Sequence, residues 1–184
     1  MRLQLFFALL LIIALQPSIA AAQIKNEQSL LGGALTRAGN KGMLELNDSQ
    51  LVDLCEQGYS AAYFVYEGAT PRTVACSRGS ITYSSQSSSD PMPILISILD
   101  GMRLGTRVFV HCYNGAHASG VVAAVALRQF CGLPGEAAFN YWTGSMGGYD
   151  LPAASIAKIR NRINGFVPDP GLVLTDDEQV RFCN

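Results

Sequence analysis

Runs of positive charge are missing from this 184-residue chain, whose 13 Lys and Arg are offset by 14 Asp and Glu for a net charge of −1. That excludes a nucleic-acid backbone or an anionic membrane surface as the expected partner. After residue 22 no stretch is apolar enough to serve as a membrane span, which needs about 20 apolar residues. There is no internal repeat and no extended low-complexity region. The sequence gives no reason to expect a metal or a cofactor. No cysteine follows the small residues at 20–22, so lipid attachment is unsupported.

What is present begins with export. Arg2 precedes the apolar run Leu5 to Leu15, which Gln16 and Pro17 close, and Ala20-Ala21-Ala22 supplies small residues for cleavage. This is the build of a signal peptide, so residues 1–22 are set aside and the mature chain is expected to begin near Gln23, in the periplasm or outside the cell. The remaining length suits one domain, 23–184. It carries five cysteines, Cys55, Cys76, Cys112, Cys131 and Cys183, and an odd count in an oxidising compartment leaves one thiol over. Cys112 is the candidate to stay free. The other four allow three pairings, of which Cys55 with Cys76 and Cys131 with Cys183 is favoured by sequence proximity and by a C-terminal tail that needs tethering.

Residues 23–47 are polar and glycine-punctuated and read as an extended lead-in. Asn47-Asp48-Ser49 offers N-cap oxygens ahead of a helix over 49–57, which Gly58 ends. Strands are expected at 60–66 and 81–84, and a helix opens at Asp90-Pro91 and runs to Met102. Arg107 to His111 reads as a central strand, followed by a glycine-containing turn and an alanine-rich helix from Ser119 to Cys131. Further helices follow over 134–142 and 152–164, and the tail from Gly165 reads as irregular. Strands alternating with helices predict an α/β fold with a central, mainly parallel sheet flanked by helices.

A strand that delivers His111-Cys112 into a glycine turn and a helix start makes an anion site. Successive turn amides point inward as a nest, and the helix N-terminus adds its positive dipole end. A cysteine at the bottom of such a nest is poised as a thiolate nucleophile.

The segment His111-Cys112-Tyr113-Asn114-Gly115-Ala116-His117-Ala118-Ser119-Gly120 resembles the phosphate-binding loop of the cysteine-dependent protein tyrosine and dual-specificity phosphatases. That loop has His-Cys, five residues, Arg, then Ser or Thr. The helix 119–131 followed by AAFNYW resembles the Ala-x-x-Tyr-Trp segment of small bacterial dual-specificity phosphatases, and LNDSQLVDLCEQGYSAAYFVYEG is similar to the helix and strand that precede their loop. The resemblance implies Cys112 as nucleophile, Ser119 as the hydroxyl assisting the leaving thiolate, His111 as a holder of the loop, and Gly120 as the small residue opening the helix. The cradle is then Tyr113, Asn114, Gly115, Ala116, His117 and Ala118.

Ala118 occupies the arginine position. The family's arginine grips two phosphate oxygens as a bidentate fork and stabilises the transition state, which alanine cannot do. Removing even one neutral oxyanion donor costs roughly 100- to 1,000-fold in rate. His117 stands one residue early and is mostly uncharged at neutral pH. The candidate general acid is Asp90, the only acidic residue between Glu67 and Asp100, although an Asp before Pro91 also has the position of an N-cap. Arg37 and Arg72 read as solvated charges in segments that could flank the pocket, and Tyr141 and Trp142 as packing residues.

The expectation is an exported pseudophosphatase that binds a phosphate-like anion, a phosphorylated ligand or a protein partner. The alternatives are a weak phosphatase working through Cys112, and rhodanese-like sulfur transfer or thiol redox sensing at the same residue.

Overall fold

The computed structural model describes residues 24–40, 45–146 and 150–184; residues 1–22, expected from sequence to be a signal peptide, lie outside them. Six strands form one sheet. They are β1 (Ile24–Leu30), β2 (Leu35–Asn40), β3 (Tyr59–Phe64), β4 (Arg72–Cys76), β5 (Gly79–Ser85) and β6 (Arg107–Cys112), in the order β1-β2-β6-β3-β5-β4. The inner pairings β2–β6, β6–β3 and β3–β5 are parallel, and each edge is closed by an antiparallel hairpin partner, β1 on β2 and β4 on β5. The α/β class with a mainly parallel centre is therefore present, with β6 in the middle.

Six helices cover the sheet: α1 (Asp48–Glu56), α2 (Met92–Leu104), α3 (Ala118–Cys131), α4 (Gly135–Gly144), α5 (Ala153–Gly165) and α6 (Asp176–Phe182). Alternation along the strands divides the core in two, because successive side chains leave opposite faces of a strand. On β6, Val108, Val110 and Cys112 join Ile94, Leu95, Ile98 and the α3 face in the larger cluster. Phe109 points the other way, to Leu51, Leu54, Tyr59 and Tyr83 under α1. Helix α3 is buried along most of its length, and its run of Val and Ala lets it approach the sheet closely while α4 packs on its outer side.

The lead-in expected to be merely extended is two paired strands, and β2 is buried at every position although its sequence is LTRAGN. Its polar groups are satisfied in place: Tyr59 Oη donates to Thr36 Oγ1 at 2.8 Å, and Asn40 Nδ2 donates to the Glu45 carbonyl at 2.8 Å. The tail expected to be irregular contains α6, which starts at a capping box: Glu178 N–H donates to Thr175 Oγ1, and Glu178 Oε2 accepts from Thr175 N–H. Asp90 does not cap α2. Pro91 holds the N-cap position, without a side-chain bond, because the turn at 87–90 closes first through Asp90 N–H to the Ser87 carbonyl.

Both disulfides form as the spacing suggested, Cys55–Cys76 joining α1 to β4 and Cys131–Cys183 joining α3 to the chain end, and Cys112 is the free thiol. Among the described residues no helix is long and apolar enough to cross a membrane.

Candidate functional site

The site stands where open α/β sheets usually place theirs, at the carboxyl end of a central parallel strand. Cys112 is the last residue of β6, in register with Gly39 of β2, and α3 begins six residues later. The intervening loop is held from three sides. From β1, Lys25 Nζ donates to Asn114 Oδ1 at 3.0 Å and Asn26 Nδ2 to the Asn114 carbonyl at 2.6 Å. From α4, Trp142 Nε1 donates to the His117 carbonyl at 3.0 Å. From β2 comes Arg37, described below.

The thiol is enclosed. Cys112 is 1% exposed. Its sulfur takes the Gly115 N–H at 3.2 Å and lies 3.2 Å from Ser119 Oγ, which in turn lies 3.4 Å from the Ala38 carbonyl. Cys112, Gly115 and Ser119 are thus brought together. Ala118 is the first residue of α3 and His117 its N-cap position, so the helix N-terminus opens directly on the cradle. Gly120 is where Trp142 leans in: a Cβ there would come within 3.0 Å of the indole.

His111 lies beneath the loop, fully buried and stacked between Phe64 and Tyr83. Burial pushes its pKa down to about 3, so the ring is neutral at ordinary pH. Tyr83 Oη accepts the Leu46 N–H at 3.1 Å and lies 2.9 Å from His111 Nε2. His111 Nδ1 is buried without a hydrogen-bond partner among the described residues. The Tyr83 phenol is itself pushed up to about 12, chiefly by burial.

Beside the cradle lies a cleft of about 220 Å³ lined by Tyr66, Ser88, His117, Ala118, Val121 and Arg162, among others. Arg162 Nη1 reaches Ser88 Oγ at 3.4 Å. The Tyr66 phenol is held above its ordinary range, first by burial and then by its Coulombic interaction with Cys112. Asp90 is exposed on the turn that also carries Ser88, but it is not among the residues lining the cleft.

Arg37 is not the solvated charge expected from sequence. It is 3% exposed, and its guanidinium runs along the outside of the loop. Nη1 donates to the Gly115 carbonyl, Nε to Tyr141 Oη and Gln28 Oε1, both at 3.1 Å, and Nη2 to Gln28 Oε1 at 2.6 Å and the Ser145 carbonyl at 3.3 Å. Arg72 does not flank the loop. It is ion-paired to Glu45 and Asp48 and stacked 4.8 Å over the Tyr83 ring.

The sequence did not single out Tyr66 or Arg162 as site residues, and Arg37 read there as a solvated charge in a segment that could flank the pocket. The polar letters of LTRAGN hid the buried strand that carries Arg37, and Arg162 is one of several basic residues on a mostly exposed helix. Among the described residues no group of three or more His, Cys, Asp or Glu side chains is placed to hold a metal.

No family model and no curated protein matches the chain. Among solved structures, the chain is similar to that described as the crystal structure of Tk-PTP in the active form, with a TM-score of 0.48 and 17% identity over 73% of this chain and 94% of that one.

Proposed function

We propose that the chain is an exported, protein tyrosine/dual-specificity phosphatase-like protein that binds a phosphate-like anion in the 112–119 loop without efficient turnover. The observation that carries the reading is Ala118. It stands in the first turn of α3 on the wall of the cleft that borders the loop, where the resemblance puts an arginine, and it offers only a methyl group. The loop amides and helix terminus supply a cradle, while the charge that would stabilise a transition state at that position is gone. The ligand is a tetrahedral oxyanion, free or carried on a phosphorylated partner. Two disulfides suit the oxidising compartment that export would provide.

A titration with inorganic phosphate or vanadate, run beside a p-nitrophenyl phosphate assay, tests this. Saturable anion binding with negligible hydrolysis is expected. Robust turnover that Cys112→Ser abolishes would overturn it in favour of a working phosphatase. One observation favours that second reading: Arg162 brings a guanidinium to the cleft that Ala118 borders, and a weak phosphatase would lose its activity in Arg162→Gln. The enclosure of Cys112 weighs against thiol redox sensing, which needs an accessible sulfur.

A further inference from the structure

Two buried groups at the loop lack the partners their chemistry calls for. The first is the Arg37 guanidinium. Its hydrogen-bond partners, Gln28, Tyr141, Gly115 and Ser145, are all neutral, and no described carboxylate pairs with it. A buried charge left without a counter-charge is costly. The second is the Ala116 N–H. Ala116 is 0% exposed, and among the described residues no acceptor takes its amide hydrogen. Buried backbone donors are paired in the great majority of cases, so an orphan asks for a ligand.

One peptide unit joins them. The Gly115 carbonyl that Arg37 grips and the Ala116 N–H belong to the same planar trans peptide, in which C=O and N–H point in opposite directions. Holding the carbonyl toward Arg37 therefore turns the amide hydrogen away from it.

We infer that Arg37 is the positioning residue of the anion cradle: from behind the loop it fixes the Gly115–Ala116 peptide with its N–H aimed at a bound tetrahedral oxyanion and supplies the positive charge that position 118 no longer provides. This rests on the anion-cradle reading and assigns its charge to a residue from another strand. The guanidinium polarises the peptide it binds, which makes the Ala116 N–H a stronger donor. An oxyanion seated against that N–H would in turn be the nearest counter-charge for Arg37. Arg37 does not touch the ligand; it acts through the peptide.

The test follows the backbone amides of 112–119 by NMR in ¹⁵N-labelled wild-type protein titrated with inorganic phosphate, beside Arg37→Gln and Arg37→Lys. The Ala116 amide should move downfield to saturation in wild type. Arg37→Gln, which keeps hydrogen bonding but loses the charge, should bind phosphate about tenfold more weakly and lose most of the Ala116 shift, and Arg37→Lys should fall between. A glutamine variant with unchanged circular dichroism that binds phosphate within about twofold of wild type overturns the role of Arg37 and leaves the anion-cradle reading standing. Absence of any phosphate binding by wild type overturns both. Should Arg37→Gln not fold, wild type alone decides: an Ala116 amide unmoved while its loop neighbours shift refutes the inference.

Discussion

Gly39 and Gly115 are packed back to back across the junction of β2 and the loop. A Cβ built on Gly39 would lie 2.4 Å from the Asn114 carbonyl carbon and 2.5 Å from Gly115 N, and one on Gly115 would lie 2.4 Å from Gly39 N. Gly115 also has φ +73°, the left-handed region that a side chain disfavours. Backbone on both sides leaves nothing to swing away. Gly39→Ala and Gly115→Ala should each destabilise the fold by about 3 kcal/mol, and the second should also disturb the cradle. Urea midpoints measure this, and a Gly39→Ala variant within about 0.5 kcal/mol of wild type would show that the loop does not sit on β2.

The buried neutral His111 ties stability to pH. Its folded-state pKa, about 3, lies below its unfolded value near 6.5, so the unfolded chain binds the extra proton first as pH falls. Stability from this group is complete above about pH 6.5 and is lost progressively toward pH 3. Between pH 6.5 and 5 the loss should be about 2 kcal/mol. The exposed carboxylates held low, Glu56, Glu136 and Glu178, add their losses only below about 4.5. Thermal melts of wild type and His111→Gln at pH 7 and 5 should show a steep drop for the first and a shallower one for the second. Parallel drops would assign the effect elsewhere.

Those two relationships differ in how far the sequence disclosed them. The strand–turn–helix around Cys112 was legible because RVFVH, Gly115 and the alanine-rich run each signal one element, and local signals agreed with the final packing. β2 was not, because burial of Thr36, Arg37 and Asn40 depends on partners far along the chain, such as Tyr59 and the loop carbonyl at 115. Helix α6 was legible in principle, since Thr175 with Glu178 is a capping box, but the prolines before it drew attention to irregularity. The tethered tail was correctly anticipated through Cys131 and Cys183, whose pairing also explains why so short a helix holds its place. Asp90 shows the opposite case: an N-cap signal that the turn ending at that residue overrides.

Cys131–Cys183 closes a loop spanning 52 residues, and Cys55–Cys76 one spanning 21. Chain-entropy reasoning gives about 4 and about 3 kcal/mol for loops of these lengths. The longer one also keeps Phe182 over Gly32, where the ring lies 3.1 Å from the position of a glycine Cβ. Replacing both members of each pair by serine should therefore cost more for Cys131/Cys183 than for Cys55/Cys76. Limited proteolysis of the first double variant should release the C-terminal segment before the sheet unfolds. Equal losses, or a tail that stays protected, would mean that packing of α6 alone suffices.

The final prediction places a positive charge at position 118. Ala118 is 8% exposed and lines the 220 Å³ cleft, which gives a longer side chain at the start of α3 room to extend. An arginine there would add two donors in a planar fork to the loop amides proposed to hold the anion. Ala118→Arg should tighten phosphate binding by about tenfold and raise p-nitrophenyl phosphate hydrolysis above the wild-type level, with the gain abolished by adding Cys112→Ser. Asp90→Asn in the same background separates the two parts of the chemistry. Position 118 accounts for binding and charge stabilisation, so affinity should survive that change, while hydrolysis should fall if the exposed carboxylate serves as proton donor. A variant that gains affinity but no turnover would show that the site also lacks a working acid; one that gains neither would count against the 112–119 loop as an anion cradle.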